Sequence, residues 1–133
     1  MRRMAAALLL VMVSVACGGG DESVPDGTNV ITVEARDFEF DRDVIEVRAG
    51  TEIVLEFRNL GSLEHTWTLL QAELVISTAA DIVDGSVLAE AKADAAQAKT
   101  VVFVAPGTGT YQVVCAIPGH FEAGMEAALR VFG

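Results

Sequence analysis

Four side chains in this sequence have the chemistry to hold one metal ion. His65 stands alone, and Cys115, His120 and Met125 share the run CAIPGHFEAGM. Two imidazoles, a thiolate and a thioether form a soft donor set. Soft sulfur favours copper over magnesium or calcium, and a His₂Cys trigonal plane with a long, weak axial Met is the arrangement of blue-copper electron-transfer sites. The spacing C-x₄-H-x₄-M puts three donors on a single loop, while His65 must be brought in from far upstream. Ligands held in place by a fold suit Cu(I) and Cu(II) alike, so that little has to move when an electron passes.

The elements that must position these donors read as strands. Ile31, Val33 and Ala35 alternate with Thr32, Glu34 and Arg36. Ile45 and Val47 alternate with Glu46 and Arg48, and Ile53, Leu55 and Phe57 with Glu52, Glu56 and Arg58. This period-two pattern marks strands with one buried face. His65, Trp67 and Leu69 share a parity opposite Glu64, Thr66 and Thr68, which turns His65 inward beside Trp67. Tyr111, Val113 and Cys115 do the same for the sulfur, with strands predicted at residues 100–105, 110–115 and 126–132. Tyr111 is expected to be a buried ring with its hydroxyl paired. Residues 78–98 are Ala-rich, with Val83, Val87, Ala91 and Ala95 at helical spacing, and predict a loop and short helix inserted among the strands. Seven to eight short strands separated by turn signals predict an all-β sandwich.

The segment PGTGTYQVVC (Pro106 to Cys115), the ligand loop after it and the closing residues Ala128 to Val131 resemble the C-terminal half of a cupredoxin, within the plastocyanin, azurin and auracyanin group. The resemblance covers residues 30–133, is strongest from Pro106 onward, and has no counterpart over residues 79–99. It implies a Greek-key β-sandwich with His65, Cys115 and His120 in the trigonal plane of one copper ion and Met125 as the axial ligand. Pro118 and Gly119 would shape the loop that returns His120 to the metal, and Gly124 would permit close approach before Met125. It implies electron transfer through His120 at an apolar mouth, for which Leu63, Ile117, Pro118 and Phe121 are the docking candidates toward a redox protein partner. One position departs from the family pattern. An Asn usually follows the first ligand and braces the ligand loop; here it is Thr66, whose hydroxyl can replace part of that bonding.

Charge and cysteine usage agree with an exported electron carrier. The chain has 133 residues, enough for one domain, with 19 acidic and 9 basic side chains. A strongly acidic chain lacks the Lys and Arg that phosphate contacts need, so nucleic acid is excluded as a partner. Arg2 and Arg3 precede a short apolar run, the pattern of an export signal over residues 1–16 and too short for a membrane span. Loss of that signal would leave seven basic against 19 acidic residues, a balance of −12. Cys17 follows Ala16 and precedes a Gly-rich polar tether over residues 18–29, which resembles a bacterial lipoprotein cleavage box with Cys17 as the acylated residue; Ser14 departs from the usual aliphatic residue. The expected location is the extracytoplasmic or periplasmic face of a membrane, held by this lipid, as a monomer. With Cys17 acylated, Cys115 is the one remaining thiol and has no disulfide partner in an oxidising compartment. A metal would hold it as thiolate.

Other readings explain less. A Cys–His hydrolase leaves the second His and the Met without a role. Structural zinc prefers another Cys, His, carboxylate or water to a thioether. Multicopper enzymes need further His residues, and this chain has two in all. No acid–base pair or activated nucleophile is evident, so no enzyme activity is expected. An adhesion sandwich without metal would make the ligand spacing a coincidence. An exported copper carrier or sensor is the main alternative, but carriers favour Met-rich or His-rich open sites. Three of the four Met residues (Met1, Met4 and Met12) fall in the leader, which leaves Met125.

Overall fold

A computed structural model describes residues 28–133. The expected signal over 1–16, the acylated Cys17 and the tether as far as residue 27 lie outside the described residues. Nine strands follow: β1 (Thr28–Arg36), β2 (Glu39–Phe40), β3 (Val44–Arg48), β4 (Glu52–Asn59), β5 (His65–Leu70), β6 (Val87–Ala93), β7 (Ala98–Val104), β8 (Gly109–Val114) and β9 (Glu126–Phe132). They form one sheet in the order β2-β1-β4-β7 and a second in the order β3-β9-β8-β5-β6. The β1–β4 and β3–β9 pairs are parallel and the others antiparallel. This is the all-β sandwich the alternation predicts, with β2 and β3 carrying the chain from one sheet to the other.

The core lies between the sheets, where inward residues of both meet. Val33 and Ala35 of β1, Ile53, Leu55 and Phe57 of β4, Trp67 and Leu69 of β5, and Leu129 and Val131 of β9 are all buried. Each large apolar side chain so buried contributes about 1.5–3 kcal/mol relative to exposure. Trp67 packs against Phe103 at 5.9 Å between ring centroids, and Tyr111 is buried with its hydroxyl donating to the Gly107 carbonyl at 2.7 Å.

The Ala-rich stretch corrects the sequence reading. Its helical part is one 3₁₀ turn, Ala79–Asp81, and residues 87–93 form strand β6 at the edge of the second sheet. Register gives the reason: Ala89, Ala91 and Ala93 stand opposite Leu69, Trp67 and His65. Beside such large neighbours a methyl group fits, so packing overrides the helix preference of Ala. The preceding segment crosses the outer face of the same sheet. There Ile76 joins Leu70 and Val114 in a second apolar cluster, with Leu74, Ile82, Val87 and Phe121 packed on it. Strand β5 is therefore buried on both faces, and Thr66 and Thr68 are not exposed as their parity alone predicts.

Among the described residues, no helix is long and apolar enough to cross a membrane.

Candidate metal centre

His65 is the first residue of β5 and is fully buried, as its parity with Trp67 and Leu69 requires. Cys115 follows β8 directly and is also fully buried. Between Cys115 and β9 the chain makes a compact loop. The His120 N–H donates to the Ile117 carbonyl at 3.0 Å, and the Gly124 N–H to the Phe121 carbonyl at 2.8 Å. Gly119 and Gly124 have φ of 87° and 101°, a region that glycine enters without a Cβ penalty. These turns bring His120 back over the sulfur. Met125 closes the loop: its N–H donates to the His120 carbonyl and its carbonyl accepts the Cys115 N–H, both at 3.1 Å. Its side chain is fully buried in the main core.

The three nearer donors converge. His65 Nδ1 and His120 Nδ1 are 3.1 Å apart, and Cys115 Sγ lies 3.9 Å from the first and 3.4 Å from the second. A point in that triangle lies about 2 Å from every corner, close to the metal–nitrogen distance of ~2.0–2.1 Å and a little inside the metal–thiolate distance of ~2.3 Å. His120, the most accessible of the three, is 7% exposed. Two imidazole nitrogens and a sulfur aimed at one dry point fit a thiophilic metal ion.

Hydrogen bonds around the triangle fix it. The Thr66 N–H donates to Cys115 Sγ at 3.4 Å. The Thr66 hydroxyl accepts the Ala116 N–H at 2.7 Å and stands 2.9 Å from the Thr68 hydroxyl, which donates to Glu90 Oε2 at 3.0 Å. Thr66 thus ties the first ligand strand to the residue after Cys115, the bracing expected of it. Glu122 does the same from outside, accepting the Gly119 N–H at 3.0 Å and the Ala79 N–H at 2.9 Å. The segment around the 3₁₀ turn is thereby fastened to the ligand loop.

Sequence reasoning missed the residues that contact the imidazoles from the β1–β2 turn. Asp37 Oδ1 is 3.1 Å from His65 Nε2. The hydroxyl and N–H of Ser62 and the N–H of Leu63 also bond this carboxylate. Chiefly through the Ser62 hydroxyl, then His65, the Asp37 pKa is lowered to about 2. Phe38 meets the His120 ring edge-on at 5.1 Å. Asn59 secures the facing loop, donating to the Leu63 and Ala93 carbonyls at 2.7 and 3.0 Å. Asp37 and His65 are separated by 28 residues, so no local spacing announces the pair. Burial lowers the pKa of His120, and the neighbouring His65 lowers it further.

The docking candidates divide. Leu63 is 42% exposed and Pro118 is exposed. Ile117 is half-buried against the main core, and Phe121 is half-buried in the cluster on the outer face of the second sheet. Phe38, at 44%, and Leu60 are exposed apolar residues on the same two loops as Asp37 and Leu63.

Known proteins share this architecture. Auracyanin-A of Chloroflexus aurantiacus is 29% identical over 91% of this chain and 91% of its own length. The solved structure of auracyanin A, a "blue" copper protein from that organism, superposes with a TM-score of 0.67 at 27% identity, over 80% of this chain and all of the other. Dithionite-reduced auracyanin from Roseiflexus castenholzii shares the fold with a TM-score of 0.71 at 19% identity, over 79% of this chain and 98% of the other. The sequence model of the cupredoxin-like domain matches residues 4–125, and the chain belongs to that family.

Proposed function

We propose that this protein is a mononuclear blue-copper electron carrier without catalytic activity of its own, exported and held at a membrane by a lipid on Cys17. The observation that carries the electron-transfer reading is the buried triangle of His65 Nδ1, His120 Nδ1 and Cys115 Sγ. His65, Cys115 and His120 would hold one copper ion, and Met125 at the end of the same loop would offer it a thioether. Copper bound there supplies a one-electron couple. The residues supply constancy: five backbone bonds within residues 115–125 close the ligand loop, Thr66 and Glu122 brace it, and burial excludes water.

The same closure disfavours the carrier or sensor reading, because a donor set at 7% exposure or less offers a receiving protein no easy access. The family relationship and the blue-copper character of auracyanin A support the same choice. Electrons would enter and leave beside His120, where Phe38 meets the ring edge-on and the exposed Leu60, Leu63 and Pro118 would complete an apolar rim for brief docking with a redox protein. The acidic excess of the chain favours a partner with a basic face.

Titration of the copper-loaded protein with a one-electron mediator tests the function. Reversible uptake and release of one electron per chain is the expected result. Copper that is released on reduction instead would support the carrier.

A further inference from the structure

The β1–β2 turn touches both imidazoles through adjacent residues: Asp37 reaches His65 and Phe38 reaches His120. We propose that Asp37 is a positioning residue of the copper centre, holding His65 with Nδ1 toward the metal and using its negative charge to keep the reduction potential low. The inference rests on the copper reading above.

Three observations carry it. First, Asp37 Oδ1 takes the ring nitrogen of His65 that faces away from the triangle, at 3.1 Å, while Nδ1 faces His120 and Cys115. A carboxylate on the far nitrogen fixes the tautomer and orientation of a metal-bound imidazole. Second, the carboxylate is itself held. The Ser62 N–H donates to Oδ1 at 2.9 Å and the Leu63 N–H at 3.3 Å, and the Ser62 hydroxyl donates to Oδ2 at 2.5 Å. Third, Gly61 leaves room for the pair. A Cβ there would collide with Asp37 Oδ1 and come within 3.0 Å of His65 Nε2.

The neighbouring Phe38 has φ of 70°, a conformation that is strained for a bulky residue and persists only where its surroundings enforce it. That turn geometry is what sets Asp37 beside one imidazole and Phe38 beside the other. A negative charge next to the ligand set stabilises Cu(II) relative to Cu(I), which lowers the potential.

Two variants and two readouts decide the matter. Asp37→Asn keeps an oxygen acceptor for His65 and loses the charge. The visible copper band is expected to survive while the redox equilibrium shifts roughly tenfold toward Cu(I), a rise of about 59 mV for one electron. Gly61→Ala displaces the carboxylate and crowds the His65 Nε2 it bonds, and copper affinity is expected to fall roughly 10–100-fold. In the metal-free full chain, ¹⁵N NMR is expected to find His65 protonated on Nε2 and to find mixed tautomers in Gly61→Ala. An unchanged potential in Asp37→Asn together with mixed tautomers in the native chain would overturn the role of Asp37. A native protein without a visible copper band would remove the copper reading instead, and the tautomer result would still decide for Asp37.

Discussion

The backbone N–H of Thr66 points at the sulfur of Cys115 from 3.4 Å, while the Thr66 hydroxyl accepts the N–H of the next residue, Ala116, at 2.7 Å. One residue thus addresses the thiolate and the strand that carries it. Thr66→Val keeps the shape and the N–H but leaves the Ala116 N–H without its partner. The expected loss is about 1–3 kcal/mol in urea unfolding of the metal-free protein, with the visible copper band retained. A loss below about 0.5 kcal/mol, the range of an ordinary surface substitution, would remove Thr66 as the brace of the loop.

Met125 is tied by backbone bonds to Cys115 and His120 and its side chain is fully buried, so its thioether is the remaining soft donor of the ligand loop. Met125→Leu keeps the volume and removes the sulfur. The copper band should persist, and the reduction potential should rise by roughly 60 mV, a tenfold shift toward Cu(I) for one electron. A potential unaltered by this change would deny Met125 any contact with the metal.

Glu122 bonds the Ala79 N–H, then its own backbone and the Gly119 N–H, and these bonds lower its pKa from the ordinary value of 4.5. The folded protein therefore binds fewer protons at this site than the unfolded chain. The resulting stabilisation is complete above pH 4.5 and disappears as pH falls through the lower folded value. Glu122→Gln should melt at a lower temperature than the native protein at pH 6, and the gap should narrow as the pH drops toward 3. A gap that is constant across this range would contradict the account.

The exposed rim and the buried cluster make opposite predictions for two apolar residues. Leu63→Lys adds a charge at the mouth and should slow electron transfer to a basic partner about tenfold at low salt, with stability little changed. Phe121→Glu should instead cost about 1–3 kcal/mol of stability, since Phe121 packs on Leu70, Ile76 and Val114. Stopped-flow kinetics and thermal melts of the two variants separate these effects.

Strand periodicity carried the most information in the sequence. The inward parity of His65 with Trp67 and Leu69, and of Cys115 with Tyr111 and Val113, holds in the structure because each strand packs one face against the opposite sheet. The loop donors were legible from residue type and spacing alone. Strand β6 was not, because Ala89, Ala91 and Ala93 carry no β preference and owe their conformation to the large partners Leu69, Trp67 and His65 across the ladder. The outer face of β5 is covered at Leu70 by a loop from residues 71–86, and Thr66 and Thr68 on that face bond Ala116 and Glu90, contacts no periodicity encodes. Asp37 and Phe38 reach the imidazoles from the turn of a distant hairpin. Only the register of β1 on β4, with Ala35 opposite Asn59, brings that turn to the mouth of the site.

The most direct measurement is the optical spectrum of the protein loaded with Cu(II), recorded beside Cys115→Ser. An intense visible thiolate-to-copper band that is lost in the variant and bleached by mild reductant is the predicted result. A native protein that binds Cu(II) tightly and stays colourless would contradict the blue-copper assignment.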